Sequence, residues 1–157
     1  MSPPATLDHA GIAARVPHSG AMCLLAALQA WDAHAIDCTA TNHRDANHPL
    51  RTRSGLLAAC AIEYAAQAMA LHGALLGQAR GTPPAPGRLA SARGVTLHRR
   101  RLDDLPAAPH GDDALHIRAT RQAGHALHVL YEFTVHHAGQ CVAQGRAAVV
   151  LVASSTP

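Results

Sequence analysis

Residues Gly55–Leu76 read GLLAACAIEYAAQAMALHGALL, and the architecture turns on them. The stretch holds no proline, and Ala, Leu, Met and Ile fill nearly all of it. Most of these are strong helix formers, so the composition predicts one long helix. The apolar residues surround the axis instead of forming one stripe, the pattern of a helix covered on most sides. Its alanines make it thin, which lets other backbone approach closely. Ser54 is the expected N-cap and Gly77 the expected stop. Glu63, Gln67 and His72 break the apolar run, and Glu63 and Gln67 share a face one turn apart.

Outward from this helix the pattern becomes extended. Upstream, Asp8–Ala14 suits a short helix that Pro17 ends. Cys23–Ala30 and Ala35–Thr41 suit two extended runs around a turn near Asp32–His34, and Thr41–Arg53 is a polar loop. Downstream, Arg80–Gly87 with its three prolines is a loop. Leu89–His98 and Ala114–Arg121 fit strands, joined by the connector Leu102–Gly111. Gln122–Gly124 is the expected next turn. The clearest alternation follows, with Leu127, Val129, Tyr131, Phe133 and Val135 on one face. Ala138–Gly139 turns the chain, and Cys141–Val152 returns. Covering one thin helix nearly all round takes the fewest elements if a curved antiparallel sheet wraps it, an α+β class. Open sheet edges and any uncovered helix face would favour pairing with a second copy. Residues 1–157 are expected to be one domain, with 1–15 as an N-terminal extension and 153–157 as a disordered tail.

Composition narrows the function. The chain has 157 residues, 48% apolar and 15% charged, which suits one globular core. It carries 35 alanines, 13 arginines without a lysine, and 13 histidines, so some histidines reflect compositional bias. A net charge of +3 with 3% aromatics gives no stacking platform for nucleic acid. The apolar run Leu56–Leu76, interrupted by Glu63, Gln67 and His72, is not a membrane span. Met1–His9 lacks the basic and apolar regions of a signal peptide, so a cytoplasmic protein is expected. Cys23, Cys38, Cys60 and Cys141 show no C-x-x-C spacing and read as reduced thiols, not as a disulfide framework or zinc site.

Chemistry concentrates around Glu63. A carboxylate on a covered helix is costly unless it is paired or lines a cavity. One reading makes it part of a structural hydrogen-bond network. The other makes it a general acid or base in an apolar pocket. His48 lies in the loop before the helix, and the free backbone N–H groups of the first helical turn point toward the same region, suited to a developing oxyanion.

The run Ala61-Ile62-Glu63-Tyr64-Ala65-Ala66-Gln67-Ala68-Met69-Ala70 resembles the central-helix motif E-A-x-A-Q of the beta-hydroxyacyl-carrier-protein dehydratases. Val16-Pro17-His18-Ser19-Gly20-Ala21-Met22 is similar to their L-P-H-R-x-P-M segment, and Gly87–Val95 to the strand after their helix. The variant most alike is the dehydratase-like family of aryl-polyene gene clusters, with its G-I-E-Y-x-A-Q helix. The resemblance implies a hotdog fold, a long central helix wrapped by a curved antiparallel sheet. It also implies a homodimer, or a heterodimer with a related subunit, with the pocket at the interface and the His of one chain facing the acid of the other. The implied reaction dehydrates 3-hydroxyacyl thioesters on acyl carrier protein, in aryl-polyene, polyketide or fatty-acid synthesis. Carried over, Glu63 is the acid and Gln67 its neighbour. His48 is the base, with His18 as second choice, and the oxyanion amide falls at Ala58. Neither cofactor nor metal is implied.

Other features are weighed beside this. Arg88, Arg93, Arg99, Arg100 and Arg101 form the one dense basic cluster, either a solvated strand end or a dock for an acidic carrier protein or its pantetheine phosphate, with Arg93, Arg99 and Arg100 foremost. His136 and His137 are expected to be exposed and His72 to be a satisfied core histidine. His43 and His48 lack a third ligand at a metal-binding spacing, so no metal site is expected. A hotdog thioesterase, and a non-catalytic acyl-binding subunit of a heterodimer, are the alternative functions.

Overall fold

A computed structural model describes residues 2–82, 87–125 and 127–151. Helix α1 spans His9–Ala13, and the long helix α2 spans Ala61–Arg80. Strands β1 (Ala27–Trp31), β2 (Ala35–Ala40), β3 (Gly87–Leu97), β4 (Leu115–His125), β5 (His128–His137) and β6 (Gln140–Leu151) form one sheet, ordered β1-β2-β4-β5-β6-β3. Every neighbouring pair is antiparallel.

Helix α2 contacts β2, β3, β4 and β5. A flat sheet with strands about 4.8 Å apart could not bring strands so far separated onto a helix about 10 Å wide, so the sheet curves around it. The period-two pattern sets which side chains enter the core. Val129, Tyr131, Phe133 and Val135 of β5 are buried against the helix, while Leu130 and Glu132 between them face outward. On the helix, Tyr64, Ala65, Ala68, Leu71, His72 and Leu75 are buried, so core faces it over much of its circumference. Residues before β1 join this core. Asp8 caps α1 by accepting the Gly11 N–H, Ile12 is fully buried, and Leu7 bridges Leu28 on the outer edge of β1.

Several boundaries depart from expectation. Ser54 does not cap the helix. Gly55 adopts φ +97°, and Leu57 is extended and bridges Arg101 in antiparallel fashion. Leu56 O accepts from Leu102 N at 2.8 Å, and Ala58 N donates to Arg100 O at 2.9 Å. These bonds hold the chain out of the helical region until a 3-10 turn at Ala58–Cys60 leads into α2. Gly77 is not the stop either. Helix α2 continues to Arg80 and ends at Gly81, whose left-handed φ of +69° suits glycine. Gln122–Gly124 is not a turn but strand, accommodated by a register shift between Arg121 and Ala123. The Ala138–Gly139 turn is observed, both residues at positive φ. Residues 83–86 and the tail 153–157 lie outside the described residues.

Candidate active site

Glu63 stands in the first turn of α2, about a third exposed in the single chain. Gln67, one turn on, is fully buried and uses its carboxamide three times. It donates to Met22 O at 2.7 Å and to Glu63 Oε1 at 3.1 Å, and its oxygen accepts the Leu24 N–H at 2.8 Å. The chain around residues 22–24 is thereby stitched to the helix, which carries the preceding residues to the same place. His18 Nε2 lies 3.2 Å from Glu63 Oε1, and its Nδ1 is buried without a partner. An acid and an imidazole therefore meet on a partly open face.

His48 is elsewhere. Its Nδ1 accepts the Leu50 N–H at 3.1 Å, and Nε2 lies 2.9 Å from Tyr64 Oη. Tyr64 in turn donates to Asn42 Oδ1 at 2.6 Å. Because the Leu50 amide can only donate and Tyr64 gives its proton to Asn42, Nε2 must be the protonated nitrogen. His48 is thus buried as a neutral donor with no spare lone pair, and burial pushes its pKa down. Within the single chain His48 therefore does not meet Glu63, and its two nitrogens are spent on fixing the loop; the arrangement that the resemblance implies, the histidine of one subunit facing the acid of the other, is one between two chains. The Ala58 N–H, expected at the oxyanion position, is given to Arg100 O in this chain.

His72 is a satisfied core histidine. Nε2 donates to Asp32 O at 2.7 Å, which leaves Nδ1 to accept from Tyr131 Oη at 2.8 Å, and burial lowers its pKa. His137 was expected to be exposed, yet it is buried and donates to Asp113 at 2.8 Å. Of the basic cluster, Arg101 is bound to Asp103 at 2.6 Å and holds that carboxyl well below its usual range. Arg93, Arg99 and Arg100 are exposed, and none enters an ion pair among the described residues.

A cavity of about 160 Å³ lies farther along α2, between the helix and the sheet. Met69, Ala70, Gly73, Leu76, Val129 and Tyr131 help to line it, with Arg80 and Arg121 among its polar walls. Glu63, His18, His48 and Gln67 are not in its lining. At 100° per residue, Glu63, Ala66, Ala70, Gly73 and Gly77 fall on one side of the helix, a strip of small side chains running from the acid toward the cavity. Strand β3 is the outermost strand beyond β6 and is exposed along most of its length, with Leu89 and Leu97 about two-fifths exposed.

Sequence reasoning placed Glu63 and Gln67 together and kept His18 in view. It did not foresee Tyr64 and Asn42 as partners of His48, because that contact closes a loop over the helix and leaves no local pattern.

The family model described as ApeP-like, ApeP dehydratase, matches residues 10–155. No curated protein sequence matches the chain. Among solved structures, the dehydratase heterocomplex ApeI:P from Xenorhabdus doucetiae is similar over 92% of each chain, at 20% identity and a TM-score of 0.79. The E. coli PaaI protein from the phenylacetic acid degradation operon is similar over 78% of this chain and 80% of that one, at 13% identity and TM-score 0.55. A putative thioesterase from Shewanella oneidensis covers 82% and 83%, at 14% identity and TM-score 0.55. These likenesses bear out the hotdog fold that the family resemblance implied, a long helix wrapped by a curved antiparallel sheet.

Proposed function

From the premise that this chain belongs to the ApeP-like dehydratase family, we propose that it takes part in dehydrating 3-hydroxyacyl thioesters carried on acyl carrier protein. The observation that carries the reading is the 3.2 Å approach of His18 Nε2 to Glu63 Oε1, with Gln67 holding the same carboxyl oxygen.

The chemistry follows from that pair. The α-hydrogen and the β-hydroxyl removed in dehydration sit on adjacent carbons, so one base and one acid about 3 Å apart can serve both on the same face. His18 takes the α-proton. Glu63, protonated, gives its proton to the departing hydroxyl, which leaves as water while the α,β double bond forms. The resulting imidazolium and carboxylate stabilise each other, and the proton then returns from His18 to Glu63. The strip of small residues on α2 leaves room for an acyl chain running from Glu63 toward the cavity. Exposed Arg93, Arg99 and Arg100 supply forks for a phosphate or an acidic carrier surface.

Assembly is part of the reading. The exposed edge of β3 and the open face of α2 suit burial against a related hotdog subunit, and the similar ApeI:P structure is described as a heterocomplex.

The test supplies the purified chain with a 3-hydroxyacyl thioester and, separately, the matching enoyl thioester, and follows enoyl absorbance and free thiol. Interconversion without thiol release supports the dehydratase. Thiol release would make it a thioesterase. Silence relieved only by a second hotdog subunit, with the restored activity unchanged when Glu63 and His18 are replaced in this chain, would make it a non-catalytic partner.

A further inference from the structure

The sheet register gathers a second cluster far from Glu63 in sequence. The last residue of β2, Ala40, pairs with Leu115 at the start of β4, and Leu115 pairs with His137 at the end of β5. One end of the sheet therefore holds the loop after β2, the residues before β4 and the β5 terminus side by side. His43, Asp113 and His137 meet there.

We propose that His43, Asp113 and His137 form a binding site for a divalent transition-metal ion of the zinc class. Each residue offers one ligand atom, and the three atoms lie within 4.8 Å of one another. His137 Nε2 is 2.8 Å from Asp113 Oδ1, and His43 Nε2 is 3.5 Å from Asp113 Oδ2. Two ligands each about 2.1 Å from a tetrahedral zinc lie roughly 3.4 Å apart, so only small side-chain adjustments are needed.

The independent sign of a missing partner is His43 itself. It is fully buried, yet neither ring nitrogen has a hydrogen-bond partner. Buried polar atoms rarely stay unpaired, and an ion held by Nε2 would satisfy the one that faces the carboxylate. Two imidazoles and a carboxylate are a donor set suited to zinc and its neighbours. Asp113 is less buried than the histidines and lines a surface depression with Arg44, Ala107, Ala108 and Gly111, which gives an ion a way in and a water room to complete the shell. Arg44 grips both Asp113 oxygens at 2.7 Å, which orients the carboxylate while its charge lowers affinity for a cation. On metal binding His137 exchanges its hydrogen bond to Asp113 for coordination, its proton moving to Nδ1.

The experiment titrates Zn²⁺ into the chelator-treated full-length chain by calorimetry and repeats it with Co²⁺ by absorption. The site predicts one saturable ion per chain, with Co²⁺ bands of nitrogen and oxygen ligation and no thiolate charge transfer. Affinity should fall at least about 10-fold in Asp113→Asn and in His43→Gln. It should be unchanged in His116→Gln, an exposed histidine outside the cluster. Ring nitrogen NMR of the unaltered protein gives a readout that needs no variant: His43 and His137 signals should move with Zn²⁺. No saturation by about 100 µM, full affinity retained in both variants, or shifts confined to other histidines would overturn the assignment.

Discussion

Gln67 and Glu63, one helical turn apart, share a hydrogen bond in which the carboxamide donates to Oε1 at 3.1 Å. The same carboxamide is bound to the backbone of Met22 and Leu24. Orientation of the acid and attachment of the His18-bearing segment thus depend on one buried side chain. Gln67→Leu should destabilise the fold by about 1–3 kcal/mol for each buried group left unpaired, measured by denaturant unfolding. Turnover should fall further than the loss of folded protein explains.

Glu63→Gln keeps the shape and the contact with Gln67 but removes the transferable proton. Because Glu63 is partly exposed, little stability should be lost. Turnover of a 3-hydroxyacyl thioester should drop by about 10²–10⁴-fold. His18→Asn should do the same, and the double variant should be scarcely worse than either, since the two act as a unit. Near-normal rates in both single variants, measured by enoyl absorbance, would refute the dyad.

Acid should loosen the fold in two stages. Burial lowers the pKa of His48 and His72 in the folded chain, so the unfolded chain binds protons first as pH falls below about 6.5. Their contribution is complete above that pH and is lost progressively below it. Asp103, held low by Arg101, keeps its contribution until pH drops under the ordinary carboxylate range. Melting temperature should therefore decline from pH 6.5 downward and steepen below pH 4. A flat profile between pH 6.5 and 5 would contradict the neutral buried histidines.

Arg99→Glu with Arg100→Glu should raise KM for a carrier-linked substrate by about 10-fold at low salt while leaving a short pantetheine thioester unaffected. Equal effects on both substrates would mean that these side chains do not select the carrier.

The fold was legible because the two periods are so distinct. An unbroken Ala-rich helix and the alternation Val129, Tyr131, Phe133, Val135 leave few other ways to bury themselves. The ends of α2 were less legible. Ser54 has the chemistry of a cap, but Leu56 and Ala58 are claimed by residues 100–102, a long-range pairing that no local pattern records. Gly77 has the chemistry of a stop, but the helix tolerates it and finds a left-handed glycine later, at Gly81. The acid of the candidate site stood out as a lone carboxylate among alanines. Its imidazole did not, because the loop histidine before the helix and the one before the first strand look alike until Tyr64 takes the former. His137 likewise looked like a hairpin-end residue, and only the β4 register carries it to Asp113.

The clasp between residues 56–58 and 100–102 decides where α2 begins, and so how far Glu63 sits from the helix mouth. An insertion or deletion between Arg100 and Asp103 would slide that starting point. Damage to that segment would then shift the Glu63 carboxyl without replacing any residue beside it, and variants there belong among the candidates whenever the proposed activity fails while α2 itself is formed.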